Sequence, residues 1–183
     1  YTKRYFQAHA CITNNNNIKN IHIHLNAFGS ENVDYILEGN VLQNLVTNGD
    51  SVKNMIEQIH FNENHPENWN MCVNNLRGNH AEIYDGKQFI VKDKVDVIHE
   101  LINKSLDMFT NHAERLQLEQ NKVGKMIRQY TGMKKYIETK DILRKDQSMI
   151  EKGQCQSSNK SYNRIRKDAE TLSYNNRHFI TKT

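Results

Sequence analysis

Proline is almost missing from this chain, with Pro66 alone in 183 residues, and glycine occurs only eight times. That scarcity excludes collagen-like and Pro/Gly-rich low-complexity proteins. Cysteine is scarce as well. Cys11, Cys72 and Cys155 share no repeated spacing, which fits a reducing intracellular compartment and no disulfide framework. No stretch approaches the roughly 18 consecutive apolar residues that a membrane-spanning helix needs. Gly-rich phosphate loops, GxSxG, CxxC and HExxH are all absent from the sequence, so most familiar enzyme classes lack their markers. The chain opens on Tyr1 with neither an initiator Met nor a basic-then-apolar leader, and the expectation is of further sequence upstream.

Asparagine, by contrast, is plentiful at 25 residues. Asn and Lys codons are AT-rich, so this bias describes a genome before it describes a chemistry, and the run Asn14–Asn17 reads as a turn or loop. Charge is unevenly placed. Residues 1–109 carry 9 Lys+Arg against 13 Asp+Glu, net −4, whereas residues 110–183 carry 16 against 8, net +8. The polarity points to an anionic partner for the C-terminal third.

Hydrophobic periodicity divides the chain into four parts: an N-terminal segment (1–17), an α+β domain (18–110), a helical extension (111–152) and a basic tail (153–183). Ile21, Ile23 and Leu25 alternate with His22 and His24, predicting a strand over 18–26. Short helices are predicted at 33–37 and 41–46. A clearer one runs from a cap at Asp50 or Ser51 to His60, with Val52, Met55, Ile56 and Ile59 on one face. Pro66 ends any continuation, so 61–70 is a structured loop. Strands are predicted at 71–75, 80–84 and 87–92, the last two joined by Asp85-Gly86, a strong hairpin signal. Asp93 then caps a helix reaching about Met108. Beyond it Leu116, Val123, Tyr130 and Ile137 recur seven apart, as in a helical hairpin or a dimer arm over 116–137. The last thirty residues show little periodicity and read as a basic tail that orders on a partner. The fold class is α+β: a small antiparallel sheet with packed helices, followed by the helical extension and the tail.

Three constellations could carry chemistry. The first is the loop containing His60, Asn62, His65, Pro66, Glu67, Asn68 and Asn70, with His80 downstream. HNH nucleases use a His to activate water beside one divalent ion, so His60, Asn70 and His80 are the candidates for that reading, with Mg²⁺ or Zn²⁺ as the metal. The plain alternative is that these side chains cap the helix and hold a polar loop. The second is His9-x-Cys11 with His22-x-His24, where two i, i+2 pairs on adjacent strands would offer four zinc ligands; exposed strand histidines are the plain alternative. The third is the basic C-terminal third, where Arg128, Lys134, Lys135, Arg164, Arg166 and Lys167 are interleaved with Tyr130, Tyr136, Tyr162, Tyr174 and Phe179. Cations suit phosphates and aromatics suit unpaired bases; a solvated charged helix face is the alternative.

Residues 23–32 (IHLNAFGSEN), 59–70 (IHFNENHPENWN) and 84–93 (YDGKQFIVKD) resemble, in this order, three segments of an uncharacterised domain family of giant DNA viruses, the mimivirus relatives. The resemblance covers roughly residues 20–110. Phe89 stands where the family has Trp, and His22, His24 and His80 are outside its pattern. Family members often carry the domain after a C2H2 zinc finger and a coiled coil. The resemblance therefore implies a DNA-associated role in the host cytoplasm, virus factory or virion, with no established activity. The expectation is a non-enzymatic viral protein that needs no cofactor and binds DNA or a nucleoprotein assembly. Arg128, Lys134, Lys135, Arg164, Arg166 and Lys167 would make the phosphate contacts. The alternatives are an HNH-like metal-dependent nuclease, or a structural protein that self-associates through 116–137.

Overall fold

The computed structural model describes residues 24–38, 41–47, 50–112, 128, 131–132, 134–138 and 160–181. Two short helices, α1 (Asp34–Leu37) and α2 (Val41–Thr47), lead into α3 (Ser51–His60). The predicted apolar face of α3 is the one that is buried: Val52, Met55, Ile56 and Ile59 all enter the core. After His60 the chain turns through a single 3-10 turn at Pro66–Asn68, with Pro66 at its start, where a missing N–H removes no intrahelical bond.

A three-stranded antiparallel sheet follows, β1 (Met71–Cys72), β2 (His80–Tyr84) and β3 (Phe89–Asp93), in the order β1-β2-β3. The register pairs Met71 with Ile83, and Tyr84 with Phe89. Ala81 and Ile83 point into the core from β2, as period-two alternation requires. The sheet is shorter than the sequence suggested at two places, each for a local reason. Asn75 ends β1 early, its side-chain oxygen accepting the Arg77 N–H at 2.9 Å and its carbonyl the Gly78 N–H at 3.2 Å. Asp85 delays β3, because one carboxylate oxygen accepts both the Lys87 and Gln88 N–H groups at 2.8 Å and draws those residues into the turn. Gly86 supplies the positive φ of 97° there.

Helix α4 (Lys94–Asn111) starts where its cap residue directs. The Asp93 carboxylate accepts from Val95 N–H at 2.8 Å and Asp96 N–H at 3.3 Å, satisfying two orphan donors of the first turn. Val97, Ile98, Leu101, Ile102, Leu106 and Phe109 form its buried stripe.

Two expectations need correction. The predicted strand over 18–26 is not one where the chain is described: residues 24–26 pair with no strand, because the Asn26 N–H donates to the Glu67 carbonyl at 2.7 Å; residues 18–23 lie outside the described residues. The basic tail of 153–183 contains helix α5 (Lys160–Asn175), followed by the short α6 (His178–Thr181). Tyr162, Ile165, Ala169 and Leu172 recur at three- and four-residue steps and are buried against α3 and α4. A helix with one such face folds onto a core rather than waiting for a partner. Residues 134–138 are helical as expected for the extension, and Ile137 is fully buried in that same core. Ile137, the last member of the proposed dimer seam, is thus used within the chain; Leu116, Val123 and Tyr130 lie outside the described residues.

Candidate functional site

The turn Ala27–Ser30, closed by Ser30 N–H to Ala27 carbonyl at 2.8 Å, has Gly29 at φ +100°, the sign a type II turn demands at its third position. This turn delivers Glu31 to the end of α3. A Cβ at position 29 would lie 2.9 Å from the Lys104 ammonium, the far end of a flexible side chain that can shift aside, so the demand for glycine rests on its φ. Phe28 N–H bonds the Tyr84 carbonyl at 2.7 Å and Tyr84 N–H bonds the Asn70 carbonyl at 2.8 Å. The segments 24–32, 59–70 and 84–93 therefore meet in space.

At that meeting point sits a buried polar network. The Asn70 amide donates to the Asn26 carbonyl at 3.2 Å and to Glu31 Oε1 at 2.9 Å. With both donors committed, its oxygen must accept, so the 3.0 Å contact with His60 is an Nδ1–H donating to Asn70 Oδ1. Asn68 does the same work one step away. Its oxygen accepts from the Asn26 amide at 2.9 Å and the Asn32 N–H at 3.0 Å, while its nitrogen donates to the Asn32 carbonyl at 2.7 Å. Only a carboxamide offers donors and acceptor in this compact fork, and both Asn68 and Asn70 are fully buried.

Glu31 is the charged member of the network. Its Oε1 also accepts the Gly29 N–H at 2.7 Å and lies 3.8 Å from His60 Nδ1, while Oε2 meets Lys104 at 3.4 Å. Burial works to raise the Glu31 pKa, but the His60 ring, the Gly29 N–H, Lys104 and Asn70 outweigh it and hold the carboxyl below its ordinary value. Burial dominates at His60 and pushes its pKa down in spite of Glu31 and Asn70, so the ring is neutral near pH 7.

The outer half of the loop is more open. His65 stacks on Tyr35 with centroids 3.5 Å apart and 8° between planes, and its Nδ1 contacts Glu67 Oε1 at 3.0 Å. Tyr35 in turn donates to the Gln58 carbonyl at 2.5 Å, and burial raises its hydroxyl to about 12. Asn62 bonds Gln58 Oε1 at 3.0 Å, and its carbonyl accepts the Trp69 indole N–H at 3.0 Å.

Of the nuclease candidates, His60 and Asn70 are brought together, bonded at 3.0 Å, but His80 does not join them. His60 is 2% exposed with Nδ1–H committed to Asn70, and the Phe28 and Phe61 rings flank it at 5.8 and 6.3 Å. Its Nε2, the nitrogen left to act as a base, bonds no described residue. His80 lies at the exposed start of β2, four residues and about 13 Å of strand rise from Tyr84, the residue bonded to Asn70. No group of three or more His, Cys, Asp or Glu side chains able to hold a metal occurs among the described residues. Of the zinc candidates, His24 is exposed, and His9, Cys11 and His22 lie outside the described residues. Cys72 is buried, with its thiol raised to about 12 by burial and by Glu82, and so stays protonated.

The basic candidates are all on the surface or near it. Arg128, Lys135, Arg164 and Lys167 are exposed, and Lys134 and Arg166 half-buried. Lys134 meets Asp107, Arg166 meets Glu170 at 3.1 Å, and Arg164 meets Asp50 at 3.2 Å. Lys160, which sequence reasoning passed over, joins Arg164 and Lys167 at i, i+4 and i+7 on the exposed face of α5, with Thr171 continuing the row. Glu31, Asn26, Asn32 and Lys104 were also missed as site residues. The signal for the first three was the LNAFGSEN segment, which places them beside the loop motif; nothing in the sequence marked Lys104.

No family model, curated protein or solved structure matches the chain.

Among the described residues, no helix is long and apolar enough to cross a membrane.

Proposed function

We propose that this chain is a non-enzymatic nucleic-acid-associated protein that engages phosphates through the exposed face of α5. The observation that carries the reading is the row Lys160, Arg164, Lys167, three cations on one solvent-facing stripe of a helix whose opposite face is buried in the core. A rigid helix holds such cations at fixed spacing, and neutralising phosphates releases condensed counterions. Arg128 and Lys135 are exposed and add to the basic surface. The His60–Asn70 loop serves as the scaffold in this reading: its histidine, asparagines and Glu31 are spent on one another, and they fix the approach of residues 24–32 to the sheet. The resemblance to the giant-virus domain family supports the same role, in the virus factory or virion.

The test is a titration of labelled DNA with the protein over a range of salt, with Mg²⁺ present and the recovered DNA run on a denaturing gel. The expected result is binding that weakens linearly in log–log form with salt while the DNA stays intact. Salt-independent or absent binding would overturn the reading, and cleaved DNA would overturn its non-enzymatic part.

A further inference from the structure

Resting on that reading, we infer that the ligand is duplex DNA, gripped by its phosphate backbone, and that among the described residues the face of α5 offers single strands no stacking platform. In sequence the C-terminal third interleaves cations with aromatics, the pattern of a single-strand binder. In the structure the two kinds of residue part company. Tyr162 is 3% exposed and packs edge-on against His99 at 5.4 Å, and Tyr136 leans on Tyr162 at 5.2 Å. Tyr174 is half-buried and its ring is covered by the Arg177 guanidinium at 3.9 Å. These rings are engaged by the protein itself, while Lys160, Arg164 and Lys167 face solvent with Thr171. The Tyr130 and Phe179 side chains lie outside the described residues.

What the α5 face presents is therefore charge without π-surface. Stacking is the main source of single-strand affinity beyond charge, at about 1–3 kcal/mol per base, so a face lacking it favours the polyanion with the higher charge density. A duplex carries one charge per about 1.7 Å of axis. The three cations are spread over seven residue steps, about 10 Å of helix rise, and so lie against several phosphates at once. Geometry separates the two duplexes. The exposed face of a helix about 10–12 Å across can lie at the mouth of the B-form major groove, about 12 Å wide, with its cations on the flanking phosphates, whereas the A-form major groove of RNA is too deep and narrow for side chains to enter. Arg164 is held only by Asp50, and both side chains are more than half exposed, at 63% and 53%, so that pair opens readily in favour of a phosphate.

The experiment compares duplex DNA, single-stranded DNA and duplex RNA at equal phosphate concentration across a salt series. It uses the parent chain and the combined variant Lys160→Gln, Arg164→Gln, Lys167→Gln. The parent is expected to bind duplex DNA tightest. The variant should keep its circular dichroism spectrum and lose about 2.7 from the magnitude of its log–log salt slope, three contacts at about 0.9 each. Single-strand affinity equal to or above that for duplex DNA would overturn this inference and leave the proposed function standing. Duplex RNA binding as tightly as duplex DNA would overturn the choice of DNA, and an unchanged slope in the variant would overturn the assignment to α5. Binding to none of the three would overturn both this inference and the reading beneath it.

Discussion

The loop 60–70 and helix α5 are both rich in polar side chains, yet they spend them in opposite directions. In the loop, His60, Asn68 and Asn70 are nearly or fully buried, and their polar atoms, His60 Nε2 apart, are matched with one another and with those of Asn26, Glu31 and Asn32. In α5 the cations Lys160, Arg164 and Lys167 point outward, and among the described residues Arg164 has only an exposed ion pair. Buried hydrogen bonds are costly to leave half made, whereas surface pairs contribute little. The region most like an active site in sequence is thus the one whose polar groups are used within the fold, and the region that read as a basic tail is, in the proposed reading, the one that meets a ligand.

The sharpest way to break this contrast is Asn70→Ala. The change strips a partner from the His60 Nδ1–H, from Glu31 and from the Asn26 carbonyl together. A loss of about 3 kcal/mol is expected from so many orphaned groups, read as a shift in the urea midpoint. A midpoint within error of the parent would mean that water replaces the amide and that the network is no scaffold.

Next in size is Leu172→Ala on the inner face of α5. Leu172 is 8% exposed within the shared core, and truncation should cost about 2 kcal/mol. The measurement separates the two faces of one helix: if the inner substitution is as silent as an outer one, α5 is not docked and the original picture of a tail returns.

Those two positions also show what a sequence can reveal. Helix α3, the hairpin and the Asp93 cap of α4 were legible because each rests on local signals: period, turn residue, capping side chain. Helix α5 was not, because its buried face is built from Tyr162, Ile165, Ala169 and Leu172 among charged neighbours, and a small Ala and a polar-tipped Tyr dilute the period. At the site, the histidines and asparagines of the loop were singled out, but whether they face water or core depends on Glu31 and Asn26, some thirty or more residues earlier. Long-range closure of that kind leaves no trace in local spacing.

Acid should act on the loop. Burial holds the His60 pKa below its ordinary 6.5, so the unfolded chain takes up the proton that the folded chain resists. Stability therefore falls as pH drops below 6.5. Glu31, also lowered in the fold, adds a second loss of the same sign as pH falls below its ordinary 4.5. The groups facing His60 are Glu31, Asn70 and Lys104, and none of them reverses that sign. Urea midpoints followed downward from neutral pH should decline less steeply in His60→Gln than in the parent, although the variant starts lower. Parallel curves would place the acid sensitivity elsewhere.

The smallest effect on stability is the most telling for binding. Arg164→Gln and Asp50→Asn each break the exposed 3.2 Å pair, and each should change stability by no more than about 0.5 kcal/mol. Their effects on DNA should be opposite. Losing Arg164 removes one phosphate contact and about 0.9 from the salt slope. Losing Asp50 removes a carboxylate that competes with phosphate for the same guanidinium, so the affinity should rise. Two substitutions alike in stability and opposite in affinity are the outcome expected if Arg164 exchanges one anion for another. If both weaken binding alike, Asp50 orients the arginine instead of competing for it, and the cations of α5 are preorganised by the fold.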